Sequence, residues 1–296
     1  MRGFIFIVLI ISIFTVIEGA CDEVGLLLLK LPKTPSGAGF GEAVTSVMMD
    51  SEGVFWNPAS TSKLRGFSIN LSHSSLIYEF KMSSISLAYG FKNLGTFGLG
   101  FNYLNLGTIS ETTIYEPDGT GESLLSKDTV FSFNYSRLFF NHLSAGTTIK
   151  YAVSDLAGEE ANIVCFDFGL IYLFNPKISL GLWGSNLGSE LKYISESDPL
   201  PEQYRFGLNY RFPGIILSAD AVQDLEEGFG IAYGTQIDVY KDTFIFRAGR
   251  KTYDTVSSFS AGVGIKYLNF RIDYTFNSIS EENLYDFNQI SIGYSF

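Results

Sequence analysis

Eight charged side chains stand singly inside otherwise apolar or small-residue runs: Asp167, Arg205, Asp220, Asp238, Arg247, Lys266, Arg271 and Asp273. Ionised groups so placed either mark a polar pathway or neutralise partners on neighbouring strands. The mixed signs favour cross-pairing in a hydrated interior, with a ladder expected from Arg247 through Lys266 to Arg271 and Asp273. His142 and Ser144, two apart, are a candidate base and nucleophile. Leu143 and Ala145 take the apolar side, so alternation turns both His142 and Ser144 inward, and a structural role for them is the simpler reading. No Gly-x-Ser-x-Gly elbow, His-Glu-x-x-His pair or phosphate loop is present. Two His and two Cys, Cys21 and Cys165, do not make a zinc site or a disulfide framework. These residues point away from an enzyme and call for no metal or cofactor. A third group, Met48, Phe55, Trp56, Asn57 and Pro58, combines large apolar side chains with a turn and is a candidate for ligand or plug contacts.

The elements that must position these residues are strands. From Gly66 onward apolar residues recur at every second position. Phe67, Ile69 and Leu71 alternate with Ser68, Asn70 and Ser72. Phe131, Phe133 and Tyr135 alternate with Ser132, Asn134 and Ser136. Val164, Phe166, Phe168 and Leu170 face away from Cys165 and Asp167; Phe270, Ile272, Tyr274 and Phe276 face away from Arg271, Asp273 and Thr275. A period of two places one apolar and one polar face on each strand. About fourteen such runs of roughly ten residues follow one another, the even number and the length of tilted membrane-crossing strands.

Connection lengths alternate too. Lys92–Gly95, Leu138–Asn141, Asn175-Pro176, Pro213-Gly214, Tyr240–Asp242 and Leu268-Asn269 are short. Gly107–Lys127, Ser154–Ala161, Leu187–Gln203 and Asn277–Asp286 are longer and often acidic. Segregation of loops by parity is the pattern of an outer-membrane barrel, with short turns on one side and long loops on the other. Composition agrees: 16% aromatic residues and only 17% charged suit a wall between lipid and water. The net charge of −11 excludes a nucleic-acid partner, since no basic stripe is available to neutralise phosphates. The expected fold is all-β, a transmembrane antiparallel barrel over 65–296.

Residues 1–20 read as a signal peptide: Arg2, the apolar run Phe4–Ile17, then Glu18-Gly19-Ala20. Acylation at Cys21 is the alternative, and both readings export the chain. Residues 21–64 do not alternate; Glu42–Met49 suits one short helix, and the whole stretch is expected to form a luminal plug, because Val44, Val47, Met48, Phe55 and Trp56 need a dry place. A periplasmic tail is the other option.

The stretch Ser36-Gly37-Ala38-Gly39-Phe40-Gly41-Glu42-Ala43, followed by Val54-Phe55-Trp56-Asn57-Pro58-Ala59, resembles the N-terminal signature of PorV/PorQ-type outer-membrane proteins. It is also similar to the hatch of the long-chain fatty-acid transporters, which have an Asn-Pro-Ala segment before the first strand; here Ser60 replaces the Gly usual after it. The terminal Phe296, after Ile292 and Tyr294, resembles the signal read by barrel-insertion machinery. The resemblance implies a fourteen-stranded barrel with an N-terminal luminal plug in the bacterial outer membrane. Two functions follow from it as expectations: passage of hydrophobic or amphiphilic solutes, or an accessory role holding a secretion-system protein through the long loops. An open porin is a third.

Overall fold

The computed structural model describes residues 25–76, 80–110, 120, 123–193, 196–240, 243–254, 256–280 and 284–296. The expected signal peptide over 1–20, Cys21 and most of the acidic stretch 111–122 lie outside them. The strands are β1 (Gly66–Ser75), β2 (Lys81–Phe91), β3 (Gly95–Ser110), β4 (Ser123–Phe139), β5 (Leu143–Leu156), β6 (Glu159–Leu173) and β7 (Ile178–Gly188), then a small hairpin of β8 (Leu191–Tyr193) and β9 (Glu196–Asp198). After it come β10 (Gln203–Phe212), β11 (Ile215–Asp224), β12 (Gly228–Val239), β13 (Phe244–Thr252), β14 (Ser257–Tyr267), β15 (Phe270–Ser280) and β16 (Leu284–Ser295).

Fourteen of these strands close into an antiparallel ring. Each pairs with its neighbour in sequence, β7 pairs with β10 across the hairpin, and β1 pairs with β16 to seal the wall. Closure leaves no unpaired edge, which a sheet in hydrocarbon requires. The alternation expected from the sequence sorts the side chains. Phe131, Phe133, Phe166, Phe168, Ile272 and Tyr274 are exposed on the outer face, while Ser132, Asn134, Asp167 and Asp273 are buried on the inner one. No helix among the described residues is long and apolar enough to cross a membrane.

Three details differ from the sequence reading. Strands β3 to β6 run 16, 17, 14 and 15 residues, well beyond ten, so the expected loop 154–161 shrinks to a turn with left-handed Ala157 and Gly158. The loop 187–203 contains the β8–β9 hairpin. Glu42–Met49 is not a helix. Gly41 and Glu42 both have positive φ, and the carbonyls of Thr45 and Ser46 accept from Asn57 and Ser179 instead of from a helical turn. The one α-helix among the described residues is the short α1, Pro35–Ala38.

Candidate functional site

Residues 25–64 hydrogen-bond to inner-face groups on strands all round the ring. Leu28 N donates to Asp128 on β4 at 3.3 Å, Ser62 Oγ to Ser144 on β5 at 2.7 Å, and Ser179 Oγ on β7 to Ser46 O at 2.8 Å. Thr45 N donates to Asp220 on β11 at 3.1 Å, Gly41 N to Ser260 on β14 at 3.2 Å, and Thr275 Oγ1 on β15 to Pro35 O at 2.7 Å. Inner-face glycines make the close approach possible: a Cβ at Gly146, Gly181 or Gly234 would collide with the carbonyls of Pro58, Thr45 or Phe40.

The interior has three levels. At the long-loop end is an apolar chamber. Met82, Leu104, Val130, Ala152, Ile163 and Cys165 line it from the wall, and Leu191 and Leu200 come in from the hairpin loop. It is filled by the chain's own Leu26, Leu28 and Leu29. Lys30 ion-pairs with Glu226 in the β11–β12 turn, and Gly25 N donates to Pro199 O at 3.0 Å, so the leucine run is fastened at its entrance. The inner face was expected to carry glycines, serines, asparagines and scattered charges. These apolar positions depart from that, because they share the parity of serines and asparagines farther along the same strands.

The middle level is aromatic and charged. Trp56 meets Trp183 of β7 edge-on at 6.3 Å between ring centroids, and its indole N–H donates to the buried Thr34 hydroxyl at 2.9 Å. The Arg205 guanidinium lies 5.1 Å from the Trp183 ring and ion-pairs with Glu42 at 3.2 Å; Lys251 pairs with the same carboxylate at 2.8 Å. Burial alone would raise the Glu42 pKa, but Lys251 and Arg205 outweigh it and hold it below the usual carboxylate range. Lys150 pairs with Asp167 at 2.7 Å on the next strand, and Asn186, left-handed at a bulge, bonds to both. A narrow void among Lys33, Glu42, Trp56, Lys150, Trp183 and Arg205 separates this level from the chamber.

At the short-turn end a vestibule of about 380 Å³ opens outward. Asp273 accepts from Arg247 and from Arg271, each at 2.6 Å, while Arg271 also pairs with the buried Glu52 of the N-terminal segment. Ser36 donates to that Glu52 at 2.8 Å, and Gln236 links Arg247 to Asp238.

The candidates from the sequence therefore separate. Asp167, Arg205, Arg247, Arg271 and Asp273 are inward and ion-paired. Asp220 is inward and serves as acceptor for Thr45 N. Lys266 is exposed and is not a rung of the expected ladder. Arg247 reaches Asp273 directly over Gly264, whose missing side chain leaves the room. Phe55 and Trp56 pack in the apolar middle with Phe40, Val44 and Val54, and Met48 lines the vestibule. Asn57 caps a 3-10 turn over Pro58–Lys63 through Ala59 N at 3.0 Å and donates to Thr45 O and Leu182 O; Pro58 O accepts from Asn134. His142 and Ser144 do not share a face. Ser144 is buried against Ser62, while His142 is exposed in the turn beside Tyr172, 5.4 Å between rings. Glu42, Glu52, Lys33, Lys150 and Trp183 were missed. Trp183 and Lys150 carried a local signal, Trp183 a parity opposite to Leu180 and Leu182, and Lys150 a lone charge between the outward Ile149 and Tyr151.

No protein-family model and no curated protein sequence matches the chain. Solved structures do. The CymD monoaromatic hydrocarbon channel superposes with a TM-score of 0.64 at 14% identity, over 89% of this chain and 97% of that one. The Pseudomonas putida toluene transporter TodX gives 0.64 at 11%, over 94% and 99%, and a Pseudomonas aeruginosa FadL homologue gives 0.60 at 10%, over 89% and 98%. At such identities the likeness is one of architecture, and the chain has the fold of these fourteen-stranded transmembrane barrels.

Proposed function

We propose that this is an outer-membrane barrel that passes hydrophobic or amphiphilic small molecules, with the segment ending at Leu64 as its luminal plug. The observation that carries the reading is the continuous apolar chamber at one end of a wall whose inner face elsewhere mixes serines, asparagines and ions with single apolar residues such as Ile171, Ile216 and Ile245. Met82, Leu104, Val130 and Ile163 form it, and the chain's own leucines occupy it. An aqueous pore has no use for such a lining; a site for an apolar solute needs it, with a few polar groups at its floor to orient what enters. The Trp56–Trp183 pair and the cations Lys33, Lys150 and Arg205 are such a floor. The hydrocarbon-channel names of the structural neighbours agree with this class of solute. Export by the N-terminal leader and insertion through Phe296 belong to the same reading. The accessory role of PorV type fits less well, because Leu191 and Leu200 of the Leu187–Gln203 loop are packed into the chamber rather than displayed to a partner.

Entry of the apolar fluorophore 1-N-phenylnaphthylamine into Gram-negative cells expressing the barrel tests the proposal. Expression should speed entry, and Leu28→Ala with Leu29→Ala should speed it further by emptying the chamber. Equal rates with and without the barrel would overturn it.

A further inference from the structure

Charge is divided along the barrel axis although the chain as a whole is acidic. The long-loop end carries Asp155, Glu159, Glu160, Glu190, Asp198 and Glu202, with more at Asp224–Glu227, among fewer cations (Lys81, Lys127, Lys192, Arg250 and Lys251). The short-turn end carries cations, one or more at nearly every connection. Lys63 and Arg65 precede β1, Lys92 stands in the β2–β3 turn and Arg137 closes β4. Lys177, Arg211 and Lys266 continue the series at the turns after β6, β10 and β14. All seven are exposed. None has a carboxylate within ion-pair distance among the described residues, whereas the inward-facing arginines are paired. Of the described acids near this end, Asp50 and Asp238 line the vestibule and bond to Ser295 and Gln236, and Glu52 and Asp273 are taken up by Arg247 and Arg271. They do not neutralise the rim.

Three of the cations share one feature. Arg65, Lys92 and Arg137 line a cleft of about 400 Å³ between the entry to β1 and the β2–β3 and β4–β5 turns, with Phe91 and Leu138. Arg65 is held there by donating to Leu64 O at 2.8 Å, and Arg137 by lying 5.6 Å from the Phe139 ring. Immediately beside them Phe91 and Phe139 are exposed at the ends of β2 and β4, and Leu94 and Phe140 are exposed in the turns that follow. Cations directly below an aromatic belt sit at the depth of phospholipid headgroups.

We infer that this cleft binds the phosphate of an anionic phospholipid, whose acyl chains lie along Phe91 and Phe139. A lipid is favoured over an acidic protein because the cations adjoin apolar wall rather than a polar platform. Clustered Lys and Arg attract anionic headgroups at a membrane surface, and the attraction falls with salt. Free phosphate shares the headgroup chemistry but gains nothing from the apolar belt.

Electron spin resonance of the barrel in phosphatidylcholine bilayers, with spin-labelled phosphatidylglycerol or phosphatidylcholine as probe, tests the assignment. The barrel should immobilise phosphatidylglycerol with a preference of about fivefold, the size of one fully engaged surface cation. Arg65→Gln, Lys92→Gln and Arg137→Gln together should abolish the preference, and Lys81→Gln at the opposite end should leave it intact. If the triple variant fails to insert, Lys92→Gln alone in its exposed turn should reduce the preference. Inorganic phosphate at millimolar concentration should not displace the lipid; if it does, the site is a phosphate site and not a lipid site. An absence of preference in the native barrel, or a preference unchanged in the variants, overturns the proposal.

Discussion

The two halves of the interior hold the same N-terminal segment by different physics. At the long-loop end Leu26, Leu28 and Leu29 pack against Met82, Leu104 and Val130. At the short-turn end Glu52 is bound into the Arg271–Asp273–Arg247 network, and at the middle level Glu42 is held between Arg205 and Lys251. Apolar packing is non-directional, so leucines can be exchanged for another apolar body at little net cost. A buried ion pair has no such substitute, because removal of one partner leaves the other charged and desolvated. On the proposed reading the two halves of the segment have different parts: residues 26–31 would be the exchangeable portion, and residues 42–62 the anchor.

The sharpest way to break this comparison is at the anchor. Asp273→Ala leaves Arg247 and Arg271 without their shared acceptor, and should destabilise the segment's seating by about 3–5 kcal/mol. The two tryptophans of the chain, Trp56 and Trp183, face each other across the contact and report it directly. Their emission in urea titrations of the detergent-solubilised barrel should shift at far lower urea in the variant. A midpoint equal to wild type would mean the ion network does not anchor the segment. Leu28→Ala comes next. Leu28 is fully buried, and its truncation should cost about 2–4 kcal/mol by the same readout. Unlike the loss at Asp273, this one should be reversed by a saturating apolar solute, since Leu28 packs in an apolar cluster. Failure of any apolar compound to restore the midpoint would remove the distinction between the halves.

How much of this was legible in the sequence follows from the range of each interaction. Strand pairing and the sidedness of the wall are written in residues two apart, so Phe131, Phe133 and Tyr135 against Ser132 and Asn134 suffice to place β4. The ion pairs are not local. Arg205 and Glu42 are 163 positions apart, and Arg271 and Glu52 are 219 apart, so no spacing identifies either partner. The expected rung at Lys266 failed for a related reason. Adjacency of strands was readable, but the span of Arg247 across glycine-bearing β14 depends on how deep each side chain reaches. The chamber was hidden because Met82, Leu104 and Val130 keep the parity of the polar face; only their height along the barrel sets them apart. The expected helix over Glu42–Met49 had apolar residues at suitable places, but left-handed Gly41 and Glu42 and wall-directed backbone groups override propensity.

A smaller change probes the boundary between the halves. Trp56→Phe keeps the ring against Trp183 but removes the donor to Thr34, a hydroxyl with no exposure. The expected loss is about 1–2 kcal/mol, read from the remaining Trp183 emission. No change in midpoint would show that Trp56 contributes by packing alone.

The smallest expected effect is a pH dependence centred on Lys33, which joins the exchangeable run to the anchor. Its amine donates to the carbonyls of Leu29 and Leu31, so it fixes the leucine run from below. Burial, and then the nearby Lys150, push its pKa down to about 7, while Glu42 and Asp167 pull the other way and Lys251 adds to the depression. The unfolded lysine keeps its proton up to about pH 10.4. Between these values the unfolded state binds the extra proton, so the seating of the segment strengthens as pH rises from about 7 towards 10 and is weakest, and flat, below that window. A neutral amine still has two protons for the two carbonyls, so the contacts survive the titration while the penalty for a buried charge disappears. Urea midpoints followed by tryptophan emission at about pH 6, 7.5 and 9 should rise across the series in the native chain and lose most of the rise in Lys33→Met. A midpoint that falls with pH, or a rise that persists without Lys33, would place the titrating group elsewhere and leave the leucine run held by packing alone.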